Sequence, residues 1–166
     1  KNHVITKKAF ERKIIGFDIN EKRIKELLMA EDLTKEVTFK ELKNLDNILF
    51  TYDEEKLTNA DIFIITVPTP IDSDNNPDLY PLKKATEKIG TVISKKKKIS
   101  SIKPIIIYES TVFPGMTEEV CVPILEEFSD LKYNIDFFCG YSPERINPGD
   151  KKRTLTDIVK ITSGSN

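Results

Sequence analysis

Asp18 closes the apolar run Lys13–Asp18 (KIIGFD) and stands two residues before Asn20, a residue type that starts helices. A carboxylate at the carboxyl end of a strand, where a helix begins, can accept hydrogen bonds from the ribose hydroxyls of an adenosine. It can equally be a turn carboxylate near the positive end of a helix dipole, and the acid alone does not separate the two readings. Further segments set polar groups after an apolar run. Val67-Pro68-Thr69-Pro70 follows DIFIITV, and proline cannot donate within a central ladder, so the strand stops there. Thr69 can then offer its hydroxyl and backbone to a ligand, or the segment can be no more than a rigid turn. Glu109-Ser110-Thr111 leads through Val112-Phe113-Pro114-Gly115 toward a helix. Hydroxyls at a helix start can donate to an oxygen-rich ligand, and they can also simply cap the helix. Tyr141-Ser142-Pro143 opens onto Glu144, Arg145 and Asn147. A carboxylate beside a guanidinium in such a loop can position a polar substrate or a water; a surface ion pair is the plainer reading. Loops of this kind converging on one edge make a site more readily than any single loop does.

The remaining singletons carry less. His3 reads as a surface residue, Cys121 lies in the apolar stripe of a helix and Cys139 within a strand, so both thiols read as small core residues. No His/Cys grouping has metal-ligand spacing, and no metal is expected.

Positioning those loops requires strands and helices in alternation. Lys13–Asp18, Ile48–Thr51, Asp61–Val67, Pro104–Glu109, Ile135–Tyr141 and Asp157–Thr162 read as strands, several of them continuous in Ile, Val and Phe. That pattern marks strands covered on both faces of a parallel sheet. Between them, Asn20 caps a helix with Ile24, Leu27 and Leu28 on one face, and Thr38–Leu42 is a short second helix. Leu82, Ala85, Ile89 and Val92 give a third from Leu79 to Ile93, and Pro114 opens a fourth with Val120, Ile124, Leu125 and Phe128 turned inward. Lys95–Lys98 reads as a solvated turn, and Pro68–Pro81 as a long functional loop. The alternation specifies a Rossmann-like, doubly wound, mainly parallel α/β sheet with right-handed crossovers, forming a single domain over residues 1–166.

Composition narrows the class. With 26 Lys+Arg against 27 Asp+Glu, the net charge of -1 leaves no electrostatic footprint for nucleic acid. The 39% hydrophobic and 32% charged content excludes a disordered chain and a membrane protein. No apolar run approaches the roughly 20 residues that span a bilayer, and two cysteines make no disulfide framework, so a cytoplasmic location is expected. Glycine occurs at 16, 90, 115, 140, 149 and 164, so there is no Gly-x-Gly. Upstream of Lys13 no strand with a glycine-rich turn is legible; Lys1–Arg12 reads as the latter half of an amphipathic helix. The first strand and phosphate-binding loop of the fold are therefore expected to be lacking: either the chain begins partway into a larger protein or the loop has been lost.

In order, IIGFDINEKRI, ADIFIITVPTPID, PDLYPL, ESTVFPGMTEE, LEEFSDL and GYSPERINPGDK resemble the NAD-binding domain of the UDP-glucose/GDP-mannose dehydrogenase family. SPERINPG is most similar to the branch acting on UDP-N-acetylhexosamines. The resemblance implies NAD as cofactor and a UDP-sugar as substrate, oxidised twice at C6, from alcohol to carboxylate, through a cysteine thioester, for surface polysaccharide synthesis. It implies Asp18 and Arg23 at the adenosine ribose, and Val67, Pro68, Thr69, Ser110 and Thr111 around the cofactor. Thr111 would also help place the catalytic water, Glu144 would act as base or water-positioning group, and Arg145 and Asn147 would contact the nucleotide sugar. A homo-oligomeric parent is implied as well. Against the family pattern, Ala30 stands where a glycine is usual and Arg153 where this branch commonly has histidine. The family's catalytic Lys, Asn and Cys fall outside these residues, so the chain by itself is expected to be inactive; without the glycine turn that brings a helix N-terminus to the pyrophosphate, it is also expected to bind NAD weakly.

The alternative is a catalytically incompetent remnant or fragment serving at most as a binding or interaction module. A hydroxyacid dehydrogenase or methyltransferase could use the same sheet, but the ordered TVPTP, ESTV and SPER loops argue against both. In the strand order 3-2-1-4-5-6, a missing first strand leaves a gap between Lys13–Asp18 and Asp61–Val67, which must close up, be filled by a partner, or destabilise the fold.

Overall fold

A computed structural model of the chain describes residues 12–35, 37–71, 76–143 and 159–165. The chain divides into two compact units, one ending at Leu57 and the other starting at Thr58.

In the first unit, β1 (Ile14–Phe17) is followed by α1 (Glu21–Leu28), α2 (Phe39–Lys43) and β2 (Ile48–Thr51). β1 and β2 pair in parallel, from Ile14 against Ile48 to Phe17 against Thr51. Asn20 starts α1 by accepting from the amides of Lys22 and Arg23. Thr38 starts α2 in a capping box, its hydroxyl accepting from the Glu41 amide while the Glu41 carboxylate accepts from the Thr38 amide. Ile24, Leu42 and Leu57 are buried. Leu28, expected on the inner face of α1, is 63% exposed instead: it is the last residue of the helix, and the chain turns away after it. That turn is a Schellman closure: Glu31 donates to Glu26 O and Ala30 to Leu27 O, with Ala30 left-handed at φ 60.

The connection Glu54–Asn59 is a short 3-10 helix that the pattern of apolar residues did not indicate. The second unit continues through β3 (Ile62–Ile65), α3 (Tyr80–Lys97), β4 (Ile105–Tyr108), α4 (Val122–Ser129), β5 (Phe138–Tyr141) and β6 (Ser163–Gly164). Its sheet runs β3-β4-β5-β6, parallel across the first three and antiparallel at β6. This is the expected Rossmann-like α/β arrangement, with its described strands in two sheets, β1-β2 and β3-β4-β5-β6. Of the strand expected at Asp157–Thr162, residues 159–162 are irregular and 157–158 lie outside the described residues; the described pairing with β5 is at Ser163 and Gly164. Gly140 permits it, since a Cβ there would lie 2.9 Å from Ser163 O.

Phe63, Ile65, Ile106, Tyr108 and Cys139 alternate onto one face of this sheet and are buried with Leu82, Ile89, Val92, Ile93 and Leu125 of α3 and α4. The opposite face does not follow the expectation of two covered faces. Among the described residues Ile62, Ile64 and Ile105 stay 42%, 56% and 38% exposed. The lysine run is likewise not a turn. α3 continues through Lys97, and Lys96, 4% exposed, places its Nζ 2.7 Å from Asp61. Its long stem covers apolar surface while the ammonium reaches a half-exposed carboxylate. α4 is entered not at Pro114 but through a π-helical turn at Thr117–Cys121, and Phe128, although 42% exposed, sets its Cβ against Gly90 of α3. Among the described residues no helix is long and apolar enough to cross a membrane.

Candidate functional site

In the first unit the polar groups gather around the start of α1. Asp18 follows β1, and its Oδ1 accepts from the Asn20 amide at 2.8 Å. Asn20 Oδ1 in turn accepts from the amides of Lys22 and Arg23 at 3.1 and 3.2 Å. The short link Asp18–Asn20–Arg23 follows from Asx geometry, in which a side-chain oxygen two residues back stands in for a turn carbonyl. Arg23 Nη2 donates to Asp32 Oδ1 at 2.7 Å, and its Nη1 lies 3.9 Å from Glu26. The Asp32 carboxylate, with only 3% side-chain exposure, also accepts from the Thr34 amide (3.1 Å), the Thr34 hydroxyl (2.7 Å) and the Val37 amide (3.0 Å). Those donors, the Thr34 hydroxyl foremost, hold the Asp32 carboxyl far below the usual carboxylate range.

In the second unit the register sets Ile65, Tyr108 and Tyr141 side by side at the carboxyl edge of β3, β4 and β5. The loops carrying Val67, Pro68 and Thr69, Glu109, Ser110 and Thr111, and Ser142 and Pro143 therefore leave one edge. Glu109 N donates to Ile65 O and Ser142 N to Tyr108 O, each at 2.9 Å. The buried Ser110 hydroxyl donates to Val67 O at 2.6 Å, so its proton ties two loops together. Thr111 is exposed and Thr69 half-exposed. The Pro-rich loop closes at its base, with Asp78 N donating to Pro70 O at 2.7 Å and Ile71 bridging Pro77. The segment 159–165 runs along the same edge: Lys160 Nζ is 2.8 Å from Glu109, and the Ser142 hydroxyl donates to Ile161 O at 3.0 Å.

The second unit thus brings Val67, Pro68, Thr69, Ser110 and Thr111 to one edge, and the first unit joins Asp18 to Arg23 through Asn20. Glu144, Arg145 and Asn147, like His3 and Arg153, lie outside the described residues. Cys121 and Cys139 are buried, and burial raises both thiols, Cys139 to about 12. Burial thus disfavours the thiolate, the nucleophilic form, at both. Beside them, burial also raises the Tyr108 phenol, whose oxygen is 3.2 Å from the Thr86 hydroxyl. Among the described residues no group of three or more His, Cys, Asp or Glu could hold a metal. Asp32 and Lys160 escaped the sequence reading. Asp32-x-Thr34 is a local turn signal that could have flagged the first; nothing local marks Lys160, because Glu109 is far away along the chain.

Comparison with known proteins gives these groups a context. Residues 3–166 match the family model described as the UDP-glucose/GDP-mannose dehydrogenase family, NAD binding domain. The chain is 54% identical to the UDP-N-acetyl-D-glucosamine 6-dehydrogenase of Pseudomonas aeruginosa, covering 93% of this chain and 35% of that protein. It is 56% identical to Protein CapL of Staphylococcus aureus, over 93% of this chain and 34% of that one. Among solved structures, an NDP-N-acetyl-D-galactosaminuronic acid dehydrogenase from Methanosarcina mazei Go1 superposes with a TM-score of 0.76 at 26% identity, over 93% of this chain and 34% of that one.

Proposed function

The chain belongs to the UDP-glucose/GDP-mannose dehydrogenase family, and from that membership we propose that it is the cofactor-binding part of a nucleotide-sugar 6-dehydrogenase. Its cofactor is NAD. The chain spans about a third of the length of the curated relatives it matches, at 35% and 34%. The reaction of the whole protein is the oxidation of the C6 alcohol of a UDP-N-acetylhexosamine, or a UDP-hexose, to the uronic acid for surface polysaccharide. A cytoplasmic, homo-oligomeric parent is part of the same proposal. The observation that carries it is the set of loops after β3, β4 and β5, which leave one edge in register, where ligands of open α/β sheets sit.

The residues present suit the adenosine end of NAD. Asp18 is exposed at the end of β1 and commits one carboxylate oxygen to Asn20. Arg23 keeps a buried Nη1 with no hydrogen-bond partner among the described residues. In this reading the other Asp18 oxygen accepts from the ribose, Arg23 lies beside it, and Val67, Pro68, Thr69 and Ser110 wall the cofactor. The Ser110–Val67 bond fixes the backbone that presents the Thr111 hydroxyl, and Thr111 orients a water with Glu144 as its base. Arg145 and Asn147 hold the sugar nucleotide. NAD, when bound, accepts a hydride at each of the two oxidations.

The test uses the intact protein that carries this chain, supplied with UDP-N-acetylglucosamine and NAD. Thr111→Ala and Glu144→Gln are each expected to cut NADH production about a hundredfold, the scale of lost acid–base assistance. Asp18→Ala is expected to weaken NAD binding about tenfold by calorimetry, the scale of a charged hydrogen bond. Undiminished turnover in Thr111→Ala and Glu144→Gln would refute the catalytic roles, and unchanged NAD affinity in Asp18→Ala the cofactor role.

A further inference from the structure

The first unit carries two opposed signals for a dinucleotide. An acid at the end of the ribose-binding strand favours the free 2′-hydroxyl of NAD, whereas an arginine nearby accommodates the 2′-phosphate of NADP. Asp18 supplies the acid, and Arg23 is joined to it through Asn20, which donates its amide to Asp18 and accepts the Arg23 amide. Preference therefore turns on whether the Arg23 charge is available.

It is already engaged. Asp32 binds Nη2 at 2.7 Å and Glu26 lies 3.9 Å from Nη1, so the guanidinium faces two carboxylates. Asp32 cannot swing away readily, because the Thr34 amide and hydroxyl and the Val37 amide hold the same carboxylate. We propose that Asp32 is a specificity-determining residue: by compensating Arg23 it denies the 2′-phosphate a cation and leaves Asp18 to select NAD. Arg23 can still pack against the adenosine, but it does not act as a phosphate receptor while Asp32 is in place. The proposal rests on the reading of Asp18 as the ribose acceptor.

The experiment measures, in the intact protein, calorimetric affinities for NAD and NADP and takes their ratio. Asp32→Asn removes the charge that compensates Arg23 and keeps one acceptor oxygen, enough for the Thr34 amide at the Oδ1 position but not also for the Val37 amide, which Oδ2 accepts. The NAD-over-NADP ratio is expected to fall about tenfold, the scale of one charged hydrogen bond. In Asp32→Asn combined with Arg23→Met the ratio is expected to return to its starting value. A merely structural role for Asp32 would weaken both nucleotides together and leave the ratio unmoved, and that result in a folded protein overturns the proposal. A lowered ratio that persists without Arg23 also overturns it, since the gain would then run through another cation such as Lys22. Should Asp32→Asn fail to fold, Asp32→Ser is read the same way. Asp18→Asn separates the two levels: unchanged NAD affinity there sinks the ribose reading and this proposal with it. A fallen NAD affinity with an unmoved ratio in Asp32→Asn sinks only the proposal, and a folded protein that binds neither nucleotide sinks both.

Discussion

Ala30 closes α1 in the left-handed region at φ 60, where a β-carbon crowds the following carbonyl. Glycine carries no such penalty but costs more backbone entropy, so the two effects partly offset. Ala30→Gly is expected to raise unfolding stability by about 0.5–1 kcal/mol, read from the urea midpoint at unchanged slope. Asp32, two residues on, governs an acid response. Its carboxyl is held far below the usual range in the folded chain, chiefly by the Thr34 hydroxyl and then by the Val37 amide and Arg23. The unfolded chain therefore takes up the proton first, at about pH 4. The stability contributed is complete above that pH and drains away as the pH falls from there toward the depressed folded value. Asp32→Asn should flatten this slope, giving a smaller loss of Tm between pH 5 and pH 2.5 than the unsubstituted chain shows. An equally steep loss would mean that other carboxylates, such as Asp136 beside Lys97, carry it. Neither residue's role was legible beforehand. Ala30 stood out only as a departure from a family glycine, and Asp32 drew no reading.

α3 and α4 approach closely where Gly90 meets Phe128: a β-carbon at position 90 would lie 2.7 Å from Phe128 Cβ and 3.4 Å from Leu125 O. The contact is with the root of a side chain and with backbone, neither of which can rotate aside. Alanine is the better helix former by about 1 kcal/mol, yet the helices would have to part, and overpacking of this kind costs about 1–3 kcal/mol. Gly90→Ala is therefore expected to destabilise by about 1 kcal/mol net, and Gly90→Val by more, measured by chemical denaturation. A stabilised Gly90→Ala would show that the helices yield cheaply. At this scale the sequence was read well wherever a period or a cap had a local cause. Asn20 and Thr38 start helices as their side chains dictate, and Ile24, Leu82, Ile89, Val92 and Leu125 are buried as their spacing requires. It was read poorly where the cause is distant. Lys96 is helical and buried because Asp61 waits near β3, and β6 pairs at Ser163 and Gly164, where Gly140 of β5 leaves room for a close approach. Continuous apolar runs promised two covered faces, but periodicity says which residues are apolar and not what meets them; Ile62, Ile64 and Ile105 are open among the described residues.

For the molecule as a whole, the chemistry implied by the family turns on a thiol that attacks the oxidised sugar and later yields the carboxylate. These 166 residues contain two cysteines, and both are buried in the second unit with their thiols raised by burial, Cys139 to about 12. Desolvation disfavours the thiolate, which is the nucleophile, so neither buried side chain suits the role. A disulfide reagent is accordingly expected to titrate no thiol in the native chain at pH 7.5 and two after unfolding in denaturant. With no usable thiol, and with the family's catalytic Lys and Asn unmatched in them, the 166 residues alone are expected to release no NADH above background from UDP-N-acetylglucosamine, whatever their affinity for NAD. That affinity is itself expected to be at least about tenfold weaker than in the intact protein, because no glycine turn among the described residues brings a helix N-terminus to the pyrophosphate. Spectrophotometry at 340 nm over hours, with the intact protein as positive control, decides the first point, and calorimetry the second. Sustained NADH release abolished by Cys121→Ser or Cys139→Ser would show that a buried thiol becomes accessible during turnover. Tight NAD binding without turnover would instead make the chain a competent cofactor module whose sugar chemistry is supplied by residues outside it.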